Sequence, residues 1–488
     1  MKWNKLILVT LVTGAILAFQ SCEKIENFGN MNSNPGATTD PNTAALLTNI
    51  LSAQGGTVWG GYPGALTVDA GFYCQYFTES QYTETSRYQP ASINWDGTYA
   101  GILYDMQNII LYNTSKPAAA SANGDNANQI AIARILKAYN FWLLTDCYGD
   151  IPYSDALKGT GAIKYDDQAT IYPALITELK QAVAQFVNPT IAIKGDILFG
   201  GDISKWKKFA NSVRMLMALR MSKKNASLGN TEFNAALNDP AGIITVNSEN
   251  ASLAYPGGVF PNPIYNFYNI QQRFDVALCK TVFDVMGGSD SRRNVFGTST
   301  IGFPYGLDRS AAVAFANANT NWARVAGGST SPLILVGASN VYLARAEASR
   351  LGWTAENAST MYATGVQRSW EQWGVYDATA FANWLSANDL STTPDKRIAE
   401  QTWLAWYPNG WQGWSTWRKT TAAPTPLVAA GYPSLTPAPQ TPVIPIPRRF
   451  PYGTNEPQLN PANYTPAAAK YTVGGVANSQ DARMWWDQ

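Results

Sequence analysis

The sequence predicts a mostly α-helical protein, a scaffold of paired helices that carries long irregular loops and only minor short strands. Three observations predict it. Apolar residues recur every three or four positions in several long segments, which is the period of a helix with one buried stripe. Strand-like runs are few and short, the best being Ile243 to Val246 and Leu333 to Val336. Two stretches, 247–331 and 422–466, are rich in Gly, Asn, Pro and aromatic residues and show no period. The 488 residues are enough for two or three average domains or for one large helical assembly.

Taken in chain order, the first element is an address. Lys2 and Lys5 precede an apolar run from Leu6 to Phe19, long enough for a signal segment and too short to span a bilayer comfortably. The run ends at Leu17-Ala18-Phe19-Gln20-Ser21-Cys22, which resembles a bacterial lipoprotein processing site. Residues 1–21 are therefore read as a lipoprotein signal peptide and Cys22 as the lipidated first residue of the mature chain. Residues 22–41, rich in Asn, Gly, Ser, Thr and Pro, read as a flexible tether. Residues 42–488 read as a single domain.

Within that domain, Ile132, Leu136, Tyr139 and Leu143 mark one face of a helix from Asn126 to Asp146, stopped by Gly149 and Pro152. It should pack on a helix around Trp95 to Tyr112. Ile171, Leu175, Leu179, Ala182 and Phe186 mark the next helix, with Asp167 as its cap. Trp206, Phe209, Val213, Leu216 and Arg220 mark another that starts at Ser204, paired with the last through a loop around Lys194 to Asp202. Val341 to Leu351 and Ala355 to Trp373 form a further pair, with Ala344, Ala346 and Ala348 small enough for close crossing. Paired helices of this kind resemble tetratricopeptide units, so the scaffold is read as right-handed with about four degenerate pairs.

Composition narrows the chemistry. Charged residues make up 14% and the net charge is +1, so no nucleic-acid field is expected. There is no histidine, which removes Ser-His-Asp and Cys-His catalysis together with the commonest zinc ligand. With Cys22 lipidated, Cys74, Cys147 and Cys279 remain, an odd set read as small buried hydrophobes. Carboxylate and Lys/Tyr chemistry remain open, no cofactor is expected, and scattered Asp residues leave a structural calcium open. Aromatics are abundant, with 17 Trp and 25 Tyr, and most belong to the core. That includes Trp403, Trp406, Trp411, Trp414 and Trp417 beside a tight Pro408-Asn409-Gly410 turn.

Several segments then resemble one family. Leu144-Thr145-Asp146-Cys147-Tyr148-Gly149-Asp150-Ile151-Pro152-Tyr153-Ser154-Asp155-Ala156-Leu157 and Asp202-Ile203-Ser204-Lys205-Trp206 through Ser212 are similar to the most recognisable passages of the SusD/RagB family. Ala344 to Ala348, Trp411 to Arg418, and Pro447-Arg448-Arg449-Phe450-Pro451-Tyr452 through Glu456 and Asn460 follow in the expected order. The resemblance implies a tetratricopeptide-like, lipid-anchored nutrient-binding protein of the outer membrane, not an enzyme, that faces outward and delivers glycans or peptides to a SusC-like TonB-dependent transporter. Glu23 and Glu26 look like that family's surface-export signals. A surface carbohydrate-active enzyme and a non-nutrient helical scaffold are the alternatives.

Sugar recognition needs rings to stack on pyranose faces and polar groups to meet hydroxyls, on exposed loops. Two stretches offer both: Tyr82 to Gln89 with nearby Trp95, and Asn266 to Phe274. The candidate ligand residues are Tyr82, Arg87, Tyr88, Trp95, Tyr268, Arg273, Phe274, Tyr305 and Trp322.

Overall fold

The computed structural model describes residues 40–58, 69–89, 93–159, 161–419 and 447–488. The chain divides into two units, Met1–Pro41 and Asn42–Gln488, and the second holds the fold. The signal peptide, Cys22 and residues 422–446 of the second irregular stretch lie outside the described residues.

The principal elements, in order, are α1 (Thr43–Val58), α2 (Asp69–Tyr73), β1 (Phe77–Glu79), α3 (Tyr104–Ser115), α4 (Asn126–Tyr148), α5 (Gln168–Gln185), α6 (Ile203–Arg220) and α7 (Ala226–Leu237). Then come β2 (Ala251–Leu253), β3 (Val276–Leu278), α8 (Lys280–Met286), α9 (Arg309–Ala318), β4 (Leu333–Val336), α10 (Ala338–Arg350) and α11 (Ala358–Gln372). The last are α12 (Ala378–Ala387), α13 (Pro394–Trp406), α14 (Gly410–Arg418) and α15 (Pro461–Lys470). Helices α3 to α7 pack each on the next, and α10 packs on both α11 and α13.

The periodic segments are helices at nearly the expected bounds. Ile171, Leu175, Leu179 and Ala182 of α5 are all buried, as are Trp206, Phe209 and Val213 of α6. The start of α6 is capped by Asp202, whose carboxylate accepts the Lys205 N–H. At α5 the cap comes from a different aspartate than expected. Asp167 makes no side-chain cap; Asp150 Oδ1 accepts the Gln168 N–H at 2.8 Å, while Asp167 pairs with Lys470. Between α10 and α11 a glycine, Gly365, also lets the helices approach closely. A Cβ on Gly365 would lie 2.8 Å from Leu343 Cγ, while Ala344, Ala346 and Ala348 are buried on the facing helix.

Three expectations are corrected. Ile243 to Val246 is not a strand, because its N–H groups find side-chain acceptors instead of a ladder. The Ile244 N–H donates to Ser212 Oγ and the Thr245 N–H to Glu249 Oε2, both at 2.9 Å. β4 pairs instead with β2, antiparallel, across a bulge between Ala251 and Ser252. The helix expected around Trp95 to Tyr112 is broken, with a one-turn start at Asp96–Thr98 and a π turn at Tyr99–Leu103 whose Gly101 is non-helical. Helices also occur inside the stretches read as irregular: α8 and α9 in the first, and the start of α15 in the second, where Pro461 sits at the first helical position.

The segments that carry the family resemblance form a buried knot at the end of α4. Gly149 closes the helix at φ +85°, and a Cβ there would lie 2.1 Å from the Tyr471 hydroxyl. Asp146 pairs with Arg220 at 2.9 Å, and the Arg220 guanidinium stacks on Trp142 and Trp486. Arg449, fully buried, donates to the Tyr148 carbonyl and lies over Tyr452 and Tyr471. Trp403, Trp406, Trp411, Trp414 and Trp417 are all buried, and Cys74, Cys147 and Cys279 are buried free thiols. These residues hold the architecture together.

Candidate ligand-binding site

The two loops nominated from sequence meet because one short sheet joins them. β1 pairs with β3, antiparallel, with Phe77 opposite Leu278 and Glu79 opposite Val276. One step past the strands, the Ser80 N–H donates to the Asp275 carbonyl at 2.8 Å and Ser80 Oγ to the Phe274 carbonyl at 2.9 Å. Residues nearly two hundred positions apart are thereby held side by side. The sheet rests on the core through α2, which crosses α14 so closely that a Cβ on Gly410 would lie 2.6 Å from the Gly71 nitrogen.

The first loop is folded around a carboxylate. Glu79 Oε2 accepts the Thr85 N–H at 2.9 Å and the Ser86 N–H at 3.3 Å, at the start of a single 3₁₀ turn, Thr85–Arg87. Burial pushes the Glu79 carboxyl up to about 8, outweighing the two N–H donors, and the nearby Asp69 and Glu84 push the same way. The turn ends at Tyr88, which takes a left-handed φ of 65° and sends its ring inward. This leaves Tyr82 at the loop tip, 56% exposed.

The second loop presents Phe274, 39% exposed, and Arg273, whose guanidinium makes a two-bond contact with Asp275 at 3.0 and 2.6 Å. Tyr82 lies within electrostatic reach of Arg273. A third, extended segment completes the edge. The Arg324 guanidinium lies 5.3 Å from the Phe274 ring centre and 5.6 Å from that of Trp322. Tyr82, Arg273, Phe274 and Arg324 thus form a rim of rings and guanidinium groups, and Arg87 is half-buried at the base of the first loop.

The other nominated rings lie inside. Tyr88 packs on Tyr73 and Tyr305, and its hydroxyl oxygen accepts from Gln75. Tyr305 donates to the Phe72 carbonyl and Tyr268 to the Val276 carbonyl. Trp95 is enclosed by Tyr99, Tyr148, Tyr165 and Tyr452, with its indole N–H on Glu456 Oε1 at 2.9 Å. Trp322 packs edge-on against Phe303. The first four are buried and have almost no free face to offer a ligand; Tyr88, Tyr268 and Tyr305 pack beneath the two loops, Trp95 packs at the end of α4, and Trp322 reaches the rim only through Arg324. Arg324 was missed in the sequence, although strand-like alternation from Trp322 places it on the same side two residues on.

Among the described residues no cluster of three or more His, Cys, Asp or Glu could hold a metal ion, and no helix is long and apolar enough to cross a membrane.

Fold and rim together define a helical-pair scaffold with a loop-built edge of exposed rings and guanidinium groups. The chain belongs to the SusD-like family, whose model, described as starch-binding associating with outer membrane, matches residues 35–453. Solved structures agree. A chitin-binding protein is 25% identical, with a TM-score of 0.74 over 91% of this chain and 100% of its own. A SusD homologue from Bacteroides uniformis is 23% identical, with a TM-score of 0.74 over 92% of this chain and 100% of its own. A chitin-binding SusD homologue from Flavobacterium johnsoniae is 20% identical, with a TM-score of 0.70 over 91% of this chain and 98% of its own. No curated protein matches the sequence.

Proposed function

We propose that this protein is a non-catalytic, glycan-binding lipoprotein of the outer membrane, anchored through Cys22 and facing outward, that passes its ligand to a SusC-like TonB-dependent transporter. The observation that carries the binding part is the rim itself: the β1–β3 pairing sets exposed Tyr82 and Phe274 beside Arg273, which matches the ring-plus-polar chemistry of sugar recognition. The family description and the chitin-binding neighbours support a saccharide. Among the described residues, two of the three carboxylates next to the rim are engaged, which leaves only the exposed Glu84 free and supports binding without turnover. Asp275 is engaged through both oxygens by Arg273, and Glu79 is buried against backbone N–H groups, whereas glycoside hydrolysis needs two carboxyls free to face a substrate.

The test is affinity electrophoresis and calorimetry of the protein against soluble oligosaccharides, with Tyr82→Ala and Phe274→Ala. Each ring contributes about 0.5 to 1.5 kcal/mol of stacking, so each variant should weaken binding roughly 2- to 12-fold with no released product. Unchanged affinity in the double variant would remove the rim from the binding site. For delivery, the tagged protein should recover a barrel of the TonB-dependent class from detergent-solubilised outer membranes. Recovery of intact, surface-exposed protein alone would sink that part.

A further inference from the structure

Most arginines packed into the scaffold are matched to a carboxylate. Arg134 pairs with Glu178, Arg214 with Glu232, Arg220 with Asp146, Arg292 with Asp290 and Arg345 with Glu356. At the rim, Arg273 takes both oxygens of Asp275. Arg324 is different. It is half-buried, its contacts are the faces of Phe274 and Trp322, and among the described residues its guanidinium has neither a hydrogen bond nor an ion pair.

A guanidinium stacked on rings keeps its five N–H donors in its own plane, directed past the ring edges, where they match a planar or tetrahedral oxyanion as a fork. The charge count around Phe274 points the same way. Arg273 and Asp275 cancel, and Arg324 remains as one positive charge. Glu84 is the nearby carboxylate of the first loop, and it is solvent-exposed, where water screens it.

We infer that the rim selects an acidic saccharide, one that places a carboxylate or sulfate against the Arg324 guanidinium while a sugar ring rests on Phe274 or Tyr82. Arg324 is then the residue that decides between charged and neutral glycans. This rests on the reading of the rim as a glycan site.

The test measures binding of the full mature protein to oligogalacturonate and to its methyl ester, which keeps the backbone and blocks the charge. A sulfated galactan and its desulfated form make the second pair, and chitohexaose and maltoheptaose are neutral probes. The variants are Arg324→Met, which keeps an apolar stem between the rings, and Arg324→Lys, which keeps the charge and loses the fork. Thermal melting confirms that both fold.

The expected result is binding to one acidic form at least 10-fold tighter than to its neutral twin, weakening as salt rises. Arg324→Met abolishes that preference and Arg324→Lys restores part of it. The member of the pairs that binds tells carboxylate from sulfate. Binding to neutral probes alone, or an acid preference untouched by Arg324→Met, overturns the inference and leaves glycan binding standing. Binding to none of the probes, acidic or neutral, removes both this inference and the glycan reading it rests on.

Discussion

Glu79 makes the first loop sensitive to pH in a direction opposite to most carboxylates. Its carboxyl is raised by burial from the ordinary 4.5 to about 8, so the folded loop holds it largely protonated at pH 7. A carboxyl whose folded value lies above its unfolded one stabilises the native state fully below about pH 4.3, and that contribution is lost as pH rises through about 8. The rise corresponds to on the order of 5 kcal/mol if the loop stays rigid. Opening residues 80–88 hydrates the carboxylate at lower cost, so the measurable loss between pH 6 and pH 9 is a fraction of this, about 1 kcal/mol or more. Glu79→Gln keeps an oxygen for the Thr85 and Ser86 N–H groups and cannot ionise. The assay is urea unfolding of wild type and Glu79→Gln at pH 6, 7, 8 and 9. The stability difference should grow in favour of Gln through pH 8, and rim affinity should fall over the same interval in wild type alone. Parallel profiles for the two proteins would refute the assignment of the charge cost to Glu79.

Two further outcomes test the architecture. Gly365→Ala should destabilise by about 1 to 3 kcal/mol in chemical denaturation, since its Cβ would sit 2.8 Å from Leu343 Cγ, outweighing the helix-propensity gain. Gly97→Ala, which meets nothing within 4 Å inside the turn Asp96–Thr98, is the control and should hold or slightly raise stability. Trp95→Phe removes the indole donor to the buried Glu456 and should cost about 1 to 3 kcal/mol of stability with ligand affinity unchanged; lost affinity at unchanged stability would move Trp95 into the site.

What the sequence determined by itself was the local part of this protein. The stripes of α5 and α6 and the glycine stop at Gly149 depend on residues within a turn or two of one another, so periodicity and stop signals suffice to find them. The resemblance of the segment from Leu144 to Leu157 was legible for the same reason: its glycine, proline and aspartates serve one helix end. The composition of the two ring-rich loops marked the stretches that the short sheet brings together.

Tertiary structure decided which members of those stretches face outward and what lies beside them. Tyr82 and Tyr88 share one loop, yet a left-handed residue after a single turn sends Tyr88 into the core and leaves Tyr82 in solvent. Ile243 to Val246 has strand composition, but Ser212 and Glu249 supply its acceptors from other elements. The first N–H of α5 is capped by Asp150 from the preceding loop, and Lys470, three hundred residues away in the chain, pairs with both Asp150 and Asp167. The rim exists only because β1 meets β3 and a third segment brings Arg324 over Phe274. Such pairings are chosen by global packing and leave no period or spacing in the local sequence, which is why the helices could be read from the chain and the site could not.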